Sequence, residues 1–586
     1  MAEKSKFNLL DEPWIYVSFF DGKRQMLSLQ DCFSRSPEIR RLSFGQDPVS
    51  FSVLRIMVAI MQRALYVASA ANGGWDASAW QHAYQNPKET LGLIRQYLDV
   101  WKDRFFLFDP DYPFFQHPKL EKIDGSHFGV RKFLSDVPDN LPLLTMRIGT
   151  ALEKISYPEA VAQLIHLQAY ATSKNLPVAK GDEERGNKNN LVPPIGTGWV
   201  GAQGGVYVEG ETLFATLMLN TLAIGIPGEE SEEAQATGII ATNPGDDLPV
   251  WEQEREKQPV GQRDDSYPHG LADMLTWQSR RVRLIDGGNS VIGVVVCQGD
   301  TVGTLINKLT KTESAVLNGY IREPMGVWKC VEKGLGQKTY MPLPHDPSRA
   351  MWRGITSLLP EFPGKRVTIG NTQVPEMLPP AVVRWVGWLL SNDYLPESTT
   401  YCLRSCGYIY RSKIDKATFD EVISDYLVIP PRLLTGKDKK TLDLVKTGME
   451  VLDNLASAVA ALAENLQRAI GASAEDASLA ARLAREHFYS EIDEEFRAWL
   501  LGVGSGKNDL NSLWKSGYGV AKKMEVDLLT AVPGIAMKGR VKDKKARGKD
   551  KKTVFDFPNC IHWFDSDVRT AERKMAVSLE GEEKHE

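Results

Sequence analysis

The sequence is short of the residues that usually announce chemistry. Six cysteines are scattered over 586 residues, and only Cys402 and Cys406 lie close together. With no second pair at zinc-ligand spacing, the pattern excludes a disulfide framework and argues against a bound metal. The nine histidines are dispersed. No two of them stand at i, i+4 around a glutamate, so zincin-type hydrolysis has no signature. His345-Asp346 sits in a proline-flanked turn, a poor setting for a metal-dependent phosphohydrolase. The stretch Gly502–Asn508 resembles a phosphate-binding loop but lacks its first glycine, and Asn508 stands where a Mg²⁺-binding hydroxyl belongs. No G-x-S-x-G elbow occurs either.

Long hydrophobic runs are also missing. The most apolar stretches, Val53–Leu65 and Ala381–Leu390, are interrupted by Arg55, Arg63 and Arg384. Both fall short of the roughly 20 residues that span a bilayer. The start, Met1–Lys6, leads into no apolar segment, so no signal peptide and no membrane partner are expected, and the expected location is the cytoplasm. Nor is there an excess of positive charge: a net charge of -5 excludes a uniformly basic protein, leaving nucleic-acid contact to local patches.

What is present is globular. Hydrophobic residues make up 42% and charged residues 25%, and the length predicts two or three domains. Trp14–Val17 and Gln25–Leu29 flank Asp21-Gly22-Lys23 as a hairpin. Helical spacing runs from Pro48 to Ser69, from Asn86 to Leu98, over 155–172 and from Thr212 to Ile224, followed by an acidic, turn-rich excursion over 227–263. Arg280–Ile285 and Val291–Val296 read as a hairpin whose basic residues suit either a solvated face or an anion contact. The aromatic run Trp101–Gln116 suits an apolar plug under a loop or, alternatively, rings that stack on bases.

After Pro430 the composition turns to Ala, Leu, Glu and Arg, which predicts helices over about 437–470, 473–503, 508–532 and 556–580. The fold class expected is therefore α+β: a large mixed α/β domain over 1–430, then an all-α four-helix bundle over 431–586. Between the last two helices a strongly basic run over 538–552 reads as a loop disordered when free, either solvated or touching phosphates.

One motif needs its context. Pro193–Gly205 contains Gly196, Gly198 and Gly201 as a literal G-x-G-x-x-G. A dinucleotide site requires a strand before these glycines and a helix after them. Here the turn-rich Asn189–Pro194 precedes them and the strand-like Gly204–Val208 follows. What remains is a loop of bare backbone edged by Trp199 and Gln203, either a surface connection or a place of close approach.

Several stretches taken in order resemble a known family. They are Phe7–Ile15, Arg104–Leu107 with Tyr112–Gln116, the glycine loop, Tyr340–Pro342, His345–Pro347, Trp352–Gly354 and Arg485–Tyr489. Together they are similar to the CasA family, the large subunits of type I-E CRISPR Cascade surveillance complexes, over nearly the whole chain. The resemblance implies a mixed α/β domain followed by a four-helix bundle, no catalytic residues and no cofactor. Its implied partners are the 5′ handle of a crRNA, double-stranded target DNA, the backbone, small and handle-binding Cascade subunits, and a helicase-nuclease. The implied work is recognition of a protospacer-adjacent motif (PAM), initiation of the R-loop and recruitment of that nuclease.

The resemblance also assigns residues. PAM reading from a minor groove about 6 Å wide suits glycine backbone, and the loop maps to Gly196, Thr197, Gly198, Trp199 and Gly201, centred on Gly198. A lysine finger maps to Lys311, with Lys308 as its alternate. The strand-separating wedge is a Gln after a Gly-Tyr-like turn in the family. The segment Cys406–Lys413 has none, which leaves Arg411, Ser412 and Lys413. The handle grip maps to Thr145, Met146 and Arg147. Lys544, Lys545, Arg547 and Lys549 in the basic run are expected to follow displaced single strand or flanking duplex. Two other readings stand beside this one: a metal-dependent nuclease and a general helical scaffold.

Overall fold

The computed structural model describes residues 5–583 except 71–73, 138–144, 202, 226–230, 240–241, 255–259, 262, 264–267, 301–321, 334–336, 347–349, 361–364, 370–371, 398, 412–417, 504–508, 533–539 and 547–548. Two units follow from its contacts: Met1–Pro347 with Ser357–Leu427, and Ser348–Thr356 with Val428–Glu586.

In the first unit, β1 (Ile15–Phe19), β2 (Arg24–Leu27) and β3 (Ile39–Leu42) form an antiparallel sheet in the order β2-β1-β3. Helix α1 (Asp47–Ser69) follows. Pro48 lies in its first turn, where a missing N–H costs nothing, and Asp47 complements the positive end of the helix. Apolar residues surround it on every side, so it becomes the core helix. It is long and apolar enough to cross a membrane, yet 89% of its apolar window is buried inside the protein. The arginines that interrupt it are neutralised internally. Arg55 donates to Glu323 at 2.6 Å, and Arg63 forks onto both oxygens of Glu252 at 2.9 and 2.6 Å.

Helix α2 (Tyr157–Tyr170), capped by the Ser156 hydroxyl, packs on α1. The chain then supplies β4 (Gly205–Glu209), the short α3 (Glu232–Thr237), β5 (Arg280–Asp286), β6 (Val291–Gln298), α4 (Ala381–Ser391), β7 (Tyr401–Tyr410) and β8 (Phe419–Ile429). Strands β8, β7 and β4 form one sheet in that order, with Cys406 opposite Gly205 and Cys402 opposite Glu209.

Several expectations are corrected here. The helix read over Thr212–Ile224 ends at Leu219, and the acidic excursion contains α3. Gly407-Tyr408 is not a turn but the interior of β7. Of the aromatic run, Phe105, Leu107, Phe114 and Phe115 are buried, and Gln116 bonds Leu107 O and Leu284 N. The plug reading holds, and these rings offer nothing for a base to stack on. Arg280 and Arg281 are each 1% exposed, so β5 presents neither a solvated basic face nor an open anion contact there.

The second unit holds four long helices: α5 (Lys439–Ala469), α6 (Ala474–Gly502), α7 (Leu510–Ala531) and α8 (Phe557–Glu583). Helix α5 touches the other three. Met351–Ser357 forms a 3-10 turn whose Trp352 donates to Asp493 at 2.7 Å and stacks on Phe496.

The basic run is the main departure from expectation in this unit. It is not a disordered loop: β9 (Arg540–Ala546) and β10 (Lys549–Phe555) pair antiparallel. Val541 stands opposite Val554, Asp543 opposite Lys552 and Lys545 opposite Asp550. Phe555 at the base is buried against Trp563.

Candidate nucleic-acid interface

The glycine loop closes the end of a helix. A helix leaves its last carbonyls without internal partners. Here Trp199 N donates to Gln168 O at 3.1 Å, Val200 N to Ala169 O at 3.0 Å and Gly198 N to Ala171 O at 2.8 Å. Gly201 N turns back onto Gly198 O at 3.0 Å. The loop thus seals the C-terminal, electronegative end of α2, the reverse of a dinucleotide site, where a helix N-terminus faces the phosphates.

The glycines are set by how closely this loop packs. A Cβ on Gly198 would lie 2.5 Å from Ala169 C and Tyr170 N. On Gly201 it would run into the Tyr410 hydroxyl, and on Gly204, whose φ is +69°, into the His345 ring. Gly198 is therefore buried against backbone, whereas Gly196, with φ +110°, has open space where a Cβ would stand. The part of the loop that solvent reaches is Pro193–Pro194, exposed, and Ile195–Thr197, half-buried.

Arg280 holds this edge from beneath, donating to Gly196 O at 2.7 Å and Thr172 O at 2.9 Å. Burial pushes its guanidinium down to about 10. Trp199 donates through Nε1 to Glu323 Oε2 at 2.6 Å and packs 5.6 Å from Trp277. Trp277 in turn donates to Asp300 O at 3.2 Å, and Asp300 pairs with buried Arg281 at 2.9 Å. Asp300 and Glu323 flank the stretch 301–321. Lys308 and Lys311 themselves lie outside the described residues; of the residues before and after that stretch, Glu323 accepts from Trp199 and Asp300 O accepts from Trp277.

The third element is the end of β7. The Tyr410 hydroxyl lies against Gly201 and donates to Tyr170 O at 3.2 Å. Arg411 follows, 57% exposed, its Nε donating to Asp420 at 2.8 Å and its N–H to Thr418 O. Ser412 and Lys413 lie outside the described residues. The structure therefore brings together the glycine loop, Glu323 with Trp277, and Tyr410 at the end of β7.

The other assigned residues are carried by other segments of the chain. Arg147 donates to Asp136 at 2.7 Å and also pairs with Glu159 on α2, so its charge is met internally. Thr145 accepts from Arg147 N at 3.2 Å, and Met146, 95% exposed, stands open beside Ile148. Lys544, Lys545 and Lys549 are on β9 and β10, while Arg547 falls outside the described residues. Sequence reading missed Glu323, Trp277 and Tyr410, which hold the loop through long-range contacts that no local pattern encodes. Among the described residues, no three His, Cys, Asp or Glu side chains are grouped to hold a metal.

Fold and site together define an α+β protein with a helical C-terminal unit, its candidate interface built from backbone, rings and buried ion pairs. The family model described as CRISPR-associated protein Cse1 (CRISPR_cse1) matches residues 8–521, and the chain belongs to that family, the CasA/Cse1 large subunits of type I-E CRISPR Cascade complexes. CRISPR-associated protein CasA/Cse1 of Thermus thermophilus is 26% identical over 381 residues, a stretch spanning 62% of this chain and 62% of that relative. Cse1 of Thermobifida fusca shares the fold over 98% of both chains, with a TM-score of 0.76 and 27% identity. A chain of a CRISPR RNA-guided surveillance complex shares it with a TM-score of 0.56 at 15% identity, over 97% of this chain and all of that one.

Proposed function

We propose that this chain is the non-catalytic subunit that recognises the PAM in double-stranded DNA for a type I-E Cascade and helps to open the duplex. The observation that supports the reading is that the glycine loop packs against Glu323 and Trp277, on the side of the chain that carries the lysine-bearing stretch 301–321, and against Tyr410, which Arg411 follows. In this reading Ile195–Thr197 is the reachable edge of a probe spanning Gly196–Gly201, and Gly198 and Trp199 give that edge its shape. Lys311 or Lys308 enters the minor groove beside it. Arg411, Ser412 or Lys413 acts as the wedge. Breaking the surface pair with Asp420 costs Arg411 little, about 0–1 kcal/mol.

Further roles follow from the same assignment. Thr145–Arg147 contributes to the crRNA handle contact through exposed Met146, with Arg147 tying the segment to α2. The other Cascade subunits hold the chain in the complex, and the helicase-nuclease docks on it once the duplex is open.

Binding of the assembled complex to a randomised PAM library tests the proposal. Lys308→Ala combined with Lys311→Ala is expected to lower affinity for preferred targets by about tenfold or more while leaving assembly intact, since a specific interaction with a base edge is worth about 1–3 kcal/mol. Unchanged affinity and preference would sink the assignment. Mg²⁺-dependent DNA cleavage by the isolated chain would favour the nuclease reading instead.

A further inference from the structure

The outward face of the sheet β2-β1-β3 carries a pair of arginines. Ser18 on the central strand stands opposite Arg24 on β2 and opposite Arg41 on β3. Residues directly opposed on neighbouring strands point to the same face, so the three form one row, with the two arginines about 10 Å apart at their Cα atoms. Val17 and Leu42, the next residues along, are buried on the other face. Arg24 and Arg41 also line one cavity of about 260 Å³. Its further walls include Asp47 at the start of α1, Tyr207 and Glu209 on β4, and Arg404 on β7.

The carboxylates of that cavity are already engaged. Glu209 accepts from Arg404 Nε at 2.7 Å and faces Arg40 at 3.5 Å. Asp47 accepts from the Ser424 hydroxyl and lies in the first turn of α1, at the positive end of that helix. Arg41 comes only within 4.0 Å of Glu209, and Arg24 has no ion pair among the described residues. Two cations are thus added to a wall whose negative charge is already matched. Like charges held on one face of a sheet repel one another, and an anion between them reverses the sign of that interaction.

We propose that the cavity binds a phosphoryl group, bracketed by the guanidiniums of Arg24 and Arg41 with Arg404 in the wall. A guanidinium presents its donors as a planar fork that fits phosphate oxygens. A tetrahedral phosphoryl group offers oxygens in several directions and so meets forks that arrive from two strands at once. A carboxylate, with both oxygens in one plane, is filled by a single fork. The cavity is many times the space of one water, which leaves room for the group and part of its hydration. The group belongs either to the backbone of a nucleic-acid strand or to a free phosphate. Tyr16, two residues before Ser18 on the same face of β1 and 45% exposed, lies about 7 Å along the strand, where a base of such a strand would find a ring to stack on. None of these residues is among those assigned to PAM reading, the wedge or the handle, so the site stands or falls separately from that reading.

Crystals of the full chain soaked in tungstate, a tetrahedral oxyanion, provide the direct test. An anomalous peak between Arg24 and Arg41 is expected, and no peak in the cavity overturns the proposal. In solution, replacing chloride with inorganic phosphate at constant pH and ionic strength is expected to raise Tm of the full chain by about 1–3 °C. Arg24→Gln combined with Arg41→Gln leaves the Arg404–Glu209 pair in place and is expected to abolish that rise. A rise that persists undiminished in the double variant places the phosphate elsewhere and overturns the assignment. Binding of a labelled single-stranded oligonucleotide separates the two sources. A salt slope lower in the double variant by about 0.7 for each phosphate no longer neutralised identifies a strand's backbone. An equal slope together with the tungstate peak identifies a free phosphate. Should the double variant fail to fold, tungstate on the unaltered chain decides alone.

Discussion

Gly198 has backbone behind it, and backbone does not swing aside as a side chain does. Gly198→Ala therefore forces the loop off the end of α2 or shifts the helix, with an expected cost of about 1–3 kcal/mol in denaturant unfolding of the isolated chain. Its effect on DNA binding has to be read beside that loss, because shape and contact change together. His166 sets a pH dependence. It is buried beside the Tyr408 hydroxyl at 3.0 Å, and burial pushes its imidazole down to about 3. In the unfolded chain the same group titrates near 6.5. Between these values the unfolded chain binds the extra proton, so this contribution to stability is full above about pH 6.5 and is lost as the pH falls. From pH 7 to 5 the loss through His166 is about 2 kcal/mol, and His166→Gln is expected to remove that part of the slope in unfolding titrations at the two pH values. Asp247 works the other way, since burial raises its carboxyl to about 6. The difference between His166→Gln and the unaltered chain therefore isolates the histidine. None of this is legible in the sequence, nor is the fate of Arg280 and Arg281. Three basic letters on a strand suit a solvated face or an anion contact until Gly196 O and Asp300 arrive from elsewhere in the chain.

Elements are far easier to read where periodicity is long. The helices expected over 437–470, 473–503, 508–532 and 556–580 are found at Lys439–Ala469, Ala474–Gly502, Leu510–Ala531 and Phe557–Glu583. Each buries a stripe against a neighbour, and such a stripe repeats often enough to be seen. The 280–298 hairpin is equally plain. Strand β7 is not, because Gly407 suggests a turn until it is seen to lie close against Gly204, where a Cβ would come within 3.1 Å of the Gly204 Cα. The basic run misleads because charge density outweighs a short β pattern, Thr553-Val554-Phe555, whose partners stand across the hairpin. Replacing Lys544, Lys545 and Lys549 with Gln is expected to reduce the salt slope of DNA binding by the assembled complex by about 0.9 for each phosphate no longer neutralised. A slope unchanged between log K and log salt concentration would take the hairpin off the DNA path.

Across the whole molecule, the sequence suggests one boundary near residue 430, but the chain enters the helical unit twice. Ser348–Thr356 belongs with Val428–Glu586, although Ser357–Leu427 returns to the first unit. Trp352 is the reason in physical terms. It is 1% exposed, stacked on Phe496 with ring centroids 4.1 Å apart, while the Arg353 guanidinium sits 3.4 Å over the Tyr489 ring. Trp352→Ala is expected to cost the helical unit about 3–5 kcal/mol, read as earlier unfolding of that unit by circular dichroism. A fragment beginning at residue 428 lacks this plug.

That crossing also orders events during synthesis. Trp352 leaves the ribosome more than a hundred residues before Phe496 and Asp493 exist to receive it. At about 5–20 residues per second, the ring and its apolar neighbours Met351 and Ile355 wait on the order of 10 s without their partners. For that interval the nascent chain carries a short sticky segment between one unit nearly finished and another not yet made, a binding opportunity for a chaperone and a hazard in its absence.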